Sequence, residues 1–262
     1  MSNTYRNYLD IFFEKLLYYR HISSRVNKVF QNDIQLYTSE KASMHFASAL
    51  IISDWTAPSD NGWEINFHTG LTKQTNKYNY KSEIEKVYSR QLCLLYAQSF
   101  ESFERLLKDC LYDRLNRDEI IKEYANKLLP KNQIPLNSRK KMPGRENLFK
   151  ILKRAGGKTF KDFTLKNNPN IRFNELWKIL SAVRHSITHN ESNIEKSLIK
   201  KSDHHFEIFN LLFHSQNISD EFLLVTLDYK KFETLLKRFA EFAFQVFKSL
   251  SIEENLEWDI RA

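Results

Sequence analysis

The chain has little of what builds several common architectures. Two cysteines in 262 residues, Cys93 and Cys110, cannot form a disulfide framework. They stand 17 residues apart in one helical pattern, roughly 25 Å along a straight helix, so they cannot bridge each other there. Five glycines and five prolines exclude a collagen-like repeat, a Gly-rich array and a Pro-rich linker. No apolar run approaches the ~20 residues that a membrane helix needs. The first twenty residues carry charges inside their apolar stretch, unlike a signal peptide. The chain therefore reads as cytoplasmic, with no membrane partner.

What is present points to helices. Apolar residues make up 42% and aromatics 14%, too much for a disordered chain and enough for a sizeable core. With glycine scarce and Leu, Phe, Lys and Glu abundant, the expected fold is mainly all-α: an up-and-down helical bundle with small β-hairpins. Three- and four-residue apolar spacing predicts helices over 5–30 and 36–52. Residues 55–70 break the pattern, with Asn61-Gly62 as a turn signal, and the polar stretch 71–80 marks a boundary. A long helix is expected over 82–115. Its buried stripe is Ile84, Val87, Leu92, Leu95, Ser99, Phe103, Leu106, Cys110 and Leu111, with Tyr88, Tyr96 and Leu107 beside it. Further helices are expected over 145–155, closed by Gly156-Gly157, and over 174–189. A hairpin is expected from 205–213 and 221–227. Asp228 N-caps a last long helix. The division is an N-terminal helical extension over 1–80, a helical domain over 81–252 and a tail over 253–262.

The net charge of +8 is concentrated. Residues 127–166 carry +10, and the remainder of the chain carries −2. This basic insertion includes Arg139, Lys140, Lys141, Arg145, Lys150, Lys153 and Arg154, and it reads as a long connection around one short helix. Such density suits a phosphate-facing cradle; a solvated lysine-rich loop is an equal alternative.

The helix over 174–189 carries an apolar face and, beside it, Arg184, His185, His189 and Asn190. His185 and His189 stand at i, i+4 and project from one face. Arg184 and His189 are five apart and diverge by roughly 140° on an ideal helix. They can serve one substrate only if the helix end unwinds or a second subunit completes the site. Asn190 suits a C-cap. Zinc held by His185 and His189 with Asp203, His204 or His205 is disfavoured, because Ser186-Ile187-Thr188 lacks the glutamate of H-E-x-x-H. Gly157-Lys158-Thr159 mimics the end of a P-loop. Leu152 occupies the place of the first glycine, and these glycines are expected to end a helix, not to begin one.

Arg184-His185-Ser186-Ile187-Thr188-His189-Asn190 resembles the R-x4-H signature of the HEPN superfamily. Upstream, Ala97-Gln98-Ser99-Phe100-Glu101-Ser102-Phe103-Glu104 is similar to that family's acidic-aromatic helix. The resemblance covers roughly residues 82–250. It implies an all-helical domain that dimerises so that two motifs face one cleft. It also implies a metal-independent endoribonuclease of toxin–antitoxin, antiviral-defence or stress-response type, needing no cofactor. Carried over, Arg184 binds the scissile phosphate, and His189 is general base for the 2′-OH or acid for the leaving 5′-oxygen. His185 orients His189 or supplies the second proton-transfer group, with Asn190 in support. Read from the residues themselves, Glu101 and Glu104 on the long helix support the site by orienting the Arg or His, and a solvent or core salt-bridge role is an equal alternative. The implied partners are RNA, a second copy of the chain, and an antitoxin or other regulatory protein. One departure is Glu191, where members silenced by a nucleotidyltransferase antitoxin often carry Tyr. The alternative reading is an inactive HEPN-like module that binds RNA or protein without cleaving.

Overall fold

The computed structural model describes residues 3–42, 45–54, 56, 65–128 and 138–260. It is mainly helical with small antiparallel sheets, as the composition requires. Two compact units partition the chain: residues 25–88, and residues 1–24 together with 89–262. The division thus falls at 24/25 and 88/89 and not at residue 80, because the start of the first helix packs with the C-terminal part of the chain.

In the smaller unit, the end of α1 (Thr4–Tyr37) and the start of α2 (Tyr80–Arg117) flank a two-stranded ribbon. Its strands, β1 (His45–Asp54) and β2 (Ile65–Asn76), pair antiparallel with a bulge at Ala49/Ile51. The helix expected over 36–52 is therefore corrected. α1 ends at Tyr37, where the Thr38 hydroxyl donates to the Ile34 carbonyl, and the β-branched Ile51-Ile52 pair with Phe67 and His68 of β2. Such residues favour a pleated strand, and the three- and four-residue spacing was coincidental. The polar stretch 71–80 is largely β2. Asn61-Gly62 lies outside the described residues.

The larger unit is built on α2. Leu92, Tyr96, Ser99, Phe103, Leu106, Cys110 and Leu111 are buried as expected. Of that stripe, Val87 is exposed and Ile84 and Leu95 are half-buried. Burial pushes the Cys93 thiol up to about 12 and the Cys110 thiol higher still, so both behave as core residues. Against α2 pack α6 (Phe173–His189) and α9 (Tyr229–Glu253). Trp177 of α6 meets Phe100 and Phe103 at ring-centroid distances of 5.3 and 6.1 Å, and Phe103 meets Phe239 and Phe242 of α9 at 5.4 and 5.1 Å. Phe100 and Phe103 are thus core rings. Asp228 caps α9 by accepting from the Lys231 amide at 2.7 Å, and Phe232, Leu235, Leu236, Phe239, Ala243, Val246 and Phe247 all face inward.

Between α2 and α6 the basic insertion is more ordered than a connection around one helix. α3 (Glu119–Lys127) is capped by Asp118 and precedes it; a 3-10 turn (Arg139–Lys141), α4 (Arg145–Ala155) and α5 (Gly157–Leu165) follow. Gly157 opens α5 with φ +58, so these glycines begin a helix as well as end one. The P-loop likeness still fails, since Leu152 replaces a glycine and a helix precedes the turn. At Gly157 an alanine Cβ would stand 2.0 Å from Glu253 Oε1. Glu253 is exposed and can swing away, leaving mainly the left-handed backbone cost. Gly157→Ala is expected to lower unfolding free energy by about 1–2 kcal/mol in denaturant titration.

After α6 come β3 (Asn193–Glu195), α7 (Lys196–Ile199), α8 (Asp203–Leu212), β4 (His214–Asn217) and β5 (Phe222–Thr226). The three strands form an antiparallel sheet in the order β3-β5-β4. Only the second half of the expected hairpin stands. Residues 205–212 are helical, because Ser202 caps the His205 amide and His205, Ile208, Phe209 and Leu212 bury one helical face.

Candidate functional site

Arg184, His185 and His189 lie on the last two turns of α6. That end is held from three sides. The Asn190 and Ser192 amides both donate to the Ser186 carbonyl, at 2.9 and 3.0 Å, around Glu191 and Ser192 in the left-handed region (φ 52 and 72). Arg90 of α2 donates from Nη1 to Ser192 Oγ at 2.7 Å and from Nη2 to the Ile187 carbonyl at 3.4 Å. The Val225 amide of β5 donates to the Ser192 carbonyl at 2.9 Å. One turn earlier, buried Tyr96 donates to the Leu180 carbonyl at 2.7 Å. The helix therefore runs intact to His189, with Asn190 as its C-cap residue.

Arg184 turns toward α2. Its Nη2 donates to Glu101 Oε1 at 2.5 Å, and its buried Nε has no hydrogen-bond partner among the described residues. Arg184 and His185 share a cleft of about 310 Å³ with Phe100, Glu104, Ser181 and Gly144. His189 is not part of this lining. It meets His185 instead, ring centroid to ring centroid at 4.7 Å, and both rings are exposed. The fold thus joins Arg184, His185, Glu101 and Glu104, while His189 meets His185 and does not line that cleft. The Asn190 side chain is exposed.

A second cleft opens on the same face of α2, lined by Glu101, Glu104, Arg105, Lys108, Asp109, Arg139 and Lys140. Glu104 is common to both clefts and pairs with Lys108 at 2.8 Å. Arg139 pairs with Asp109 at 2.8 Å, so its charge is partly spent inside the fold. Lys141 is exposed beside them. On α4, Lys150 and Arg154 are exposed and Lys153 lies over the Phe149 ring at 5.2 Å. Gly144, at the start of α4, touches the motif cleft; Lys150 to Arg154 lie roughly 9–15 Å further along that helix. The side chain of Arg145 lies outside the described residues. The sequence reading missed Arg90, Ser181, Arg105 and Lys108. The last two stand one turn beyond Glu101 and Glu104 on the same helix, a spacing that could have pointed to them.

The zinc alternative does not assemble: no group of three or more metal-ligating side chains occurs among the described residues. His204 faces Glu175 at 3.7 Å in the first turn of α6, ten residues before His185. His205 is buried and its Nε2 has no partner among the described residues. Burial holds its imidazole below the ordinary 6.5, with Glu175 opposing that shift. A depressed histidine contributes stability above its unfolded value and loses it as protons force entry. The unfolding midpoint should therefore fall as pH drops from about 7 to about 5, and His205→Gln should flatten that slope.

No helix among the described residues is long and apolar enough to cross a membrane. Comparison with protein-family models, with curated proteins and with solved structures gives no match in any of the three.

Proposed function

We propose that this protein is a metal-independent endoribonuclease that cuts RNA through Arg184, His189 and His185 at a site completed by a second copy of the chain. The observation that carries this reading is the anchored Arg184 guanidinium beside two adjoining imidazoles on an exposed helix end. An imidazole accepts the 2′-OH proton as that oxygen attacks the neighbouring phosphorus. The P–O5′ bond breaks, the second imidazole protonates the departing oxygen, and a 2′,3′-cyclic phosphate results. Arg184 offers its fork to the phosphate oxygens, where negative charge grows. Because the end of α6 is tied at Ser186, Ile187 and Ser192, unwinding is the less favoured way to align Arg184 with His189. A facing copy is the other.

The test is incubation of the purified chain with single-stranded RNA in EDTA. Cyclic phosphate ends are the expected product. Cleavage of DNA, or of RNA with every 2′-OH methylated, would overturn the mechanism. One observation favours a binding module instead: Glu101 already pairs with the Arg184 Nη2, and Glu104 lines both clefts. That reading gains if RNA stays intact while salt-sensitive binding is lost on neutralising Arg139, Lys140 and Lys141.

A further inference from the structure

A third cleft, also in the larger unit, lies on α1 and α9 and involves none of these residues. The two helices run antiparallel and are clamped at both ends of their shared length. Asn3 Nδ2 donates to Ser251 Oγ at 2.8 Å, and Arg20 Nε donates to Glu233 Oε1 at 3.0 Å. Around the Arg20–Glu233 clamp lies a cleft of about 580 Å³, within the usual range of about 300–1,000 Å³ for small-molecule sites. Its walls are Phe13, Leu16 and Leu17 of α1, facing Leu236 and Ala240 of α9. Leu17, which lines the cleft, is 63% exposed.

The cleft is polarised along its length. Since the helices are antiparallel, Arg20 and Lys230 stand together at one end, and Phe13 and Ala240 at the other, with Lys237 between them. Glu233 is engaged by Arg20 and by the Tyr229 hydroxyl, each at 3.0 Å, and so does little to cancel Lys230.

We infer that this cleft binds a small anionic amphiphile, such as an acyl carboxylate, its head at Arg20 and Lys230 and its tail along Leu17, Leu16 and Phe13. Burying the tail supplies the favourable free energy, and the net positive charge of Arg20, Lys230 and Lys237 against Glu233 selects the sign of the head. The assignment is independent of the ribonuclease reading and stands or falls without it.

Isothermal titration of the full chain with dodecanoate below its micelle concentration should show saturable binding of one molecule per chain. Dodecyltrimethylammonium should bind at least about tenfold more weakly, and Lys230→Glu should weaken dodecanoate by about the same factor. Leu17→Glu alters an exposed side chain and leaves the core alone, so it should abolish binding while thermal melting stays unchanged. Ala240→Trp should fill the apolar end with the same loss. The inference is overturned if dodecanoate does not bind, if the cationic amphiphile binds as well, or if Leu17→Glu and Ala240→Trp leave affinity intact.

Discussion

His189→Ala should reduce RNA cleavage by about 10²–10⁴-fold, the usual contribution of a positioned proton-transfer group, while leaving the thermal midpoint unchanged. The second half follows from geometry: the ring is exposed and touches only another exposed ring, His185, among the described contacts. Arg184→Ala should match it in activity. Arg184→Lys should not rescue, because a lysine offers a point charge where the fork must hold Glu101 and a phosphate together. The sharper test mixes the two inactive chains. On an ideal helix Arg184 and His189 diverge by roughly 140°, and the end of α6 is tied down by Arg90 and β5. If a facing copy completes the site, a mixed dimer holds one Arg184 opposite one His189, and cleavage returns on mixing. If mixing restores nothing although each variant folds and dimerises, the shared-site mechanism is wrong. Loss of cleavage in neither single variant would remove the ribonuclease reading altogether.

Much of this site was legible because it is local. Arg184, His185, His189 and Asn190 share one helix, whose apolar face and C-cap residue are plain in the chain. Glu101 and Glu104 lie on the other strongly periodic helix, α2. Helix α9 was equally readable, since Asp228 signals its start and seven inward residues keep one period. What escaped depends on partners distant in sequence. Residues 45–54 form a strand because β2 pairs with them, and 205–212 form a helix because that face has a core to enter. Arg90 offers no local sign that it secures the motif; its role exists only once Ser192 and Ile187 fold back beside α2. The +10 of residues 127–166 was visible as charge, yet charge does not reveal that Arg139 spends part of its own on Asp109.

Glu254→Ala should cost about 3 kcal/mol of unfolding free energy, the scale for removing one partner of a desolvated ionic cluster. Residues 253–262 were expected to be a tail, but Glu254 is the carboxylate that joins three helices. It accepts from Arg114 Nη1 at 3.0 Å, from Arg117 Nε and Nη2 at 2.9 and 2.8 Å, and from the Tyr5 hydroxyl. Its side chain is 11% exposed, so solvent does little to replace those donors once it is gone. The Arg114 guanidinium, 13% exposed, would keep Asp118 alone, and Arg117 would keep the Tyr5 ring, 5.1 Å from its guanidinium carbon. Burial alone would raise the Glu254 carboxyl, but the hydrogen bonds from Arg117 and Tyr5 outweigh it and hold the group below its ordinary 4.5. A depressed carboxylate stabilises the fold above that value and loses its contribution as pH falls through the folded one. Denaturant titrations from about pH 7 to about pH 3 should thus show a decline that Glu254→Gln lessens, since the amide cannot take up the proton. A cost below about 1 kcal/mol for Glu254→Ala would place the cluster with ordinary surface pairs. A cost near the expected value means that Glu254 is a principal tie among α1, α2 and α9, beside the Asn3–Ser251 and Arg20–Glu233 hydrogen bonds, and that shortening the chain past Glu254 loosens the bundle.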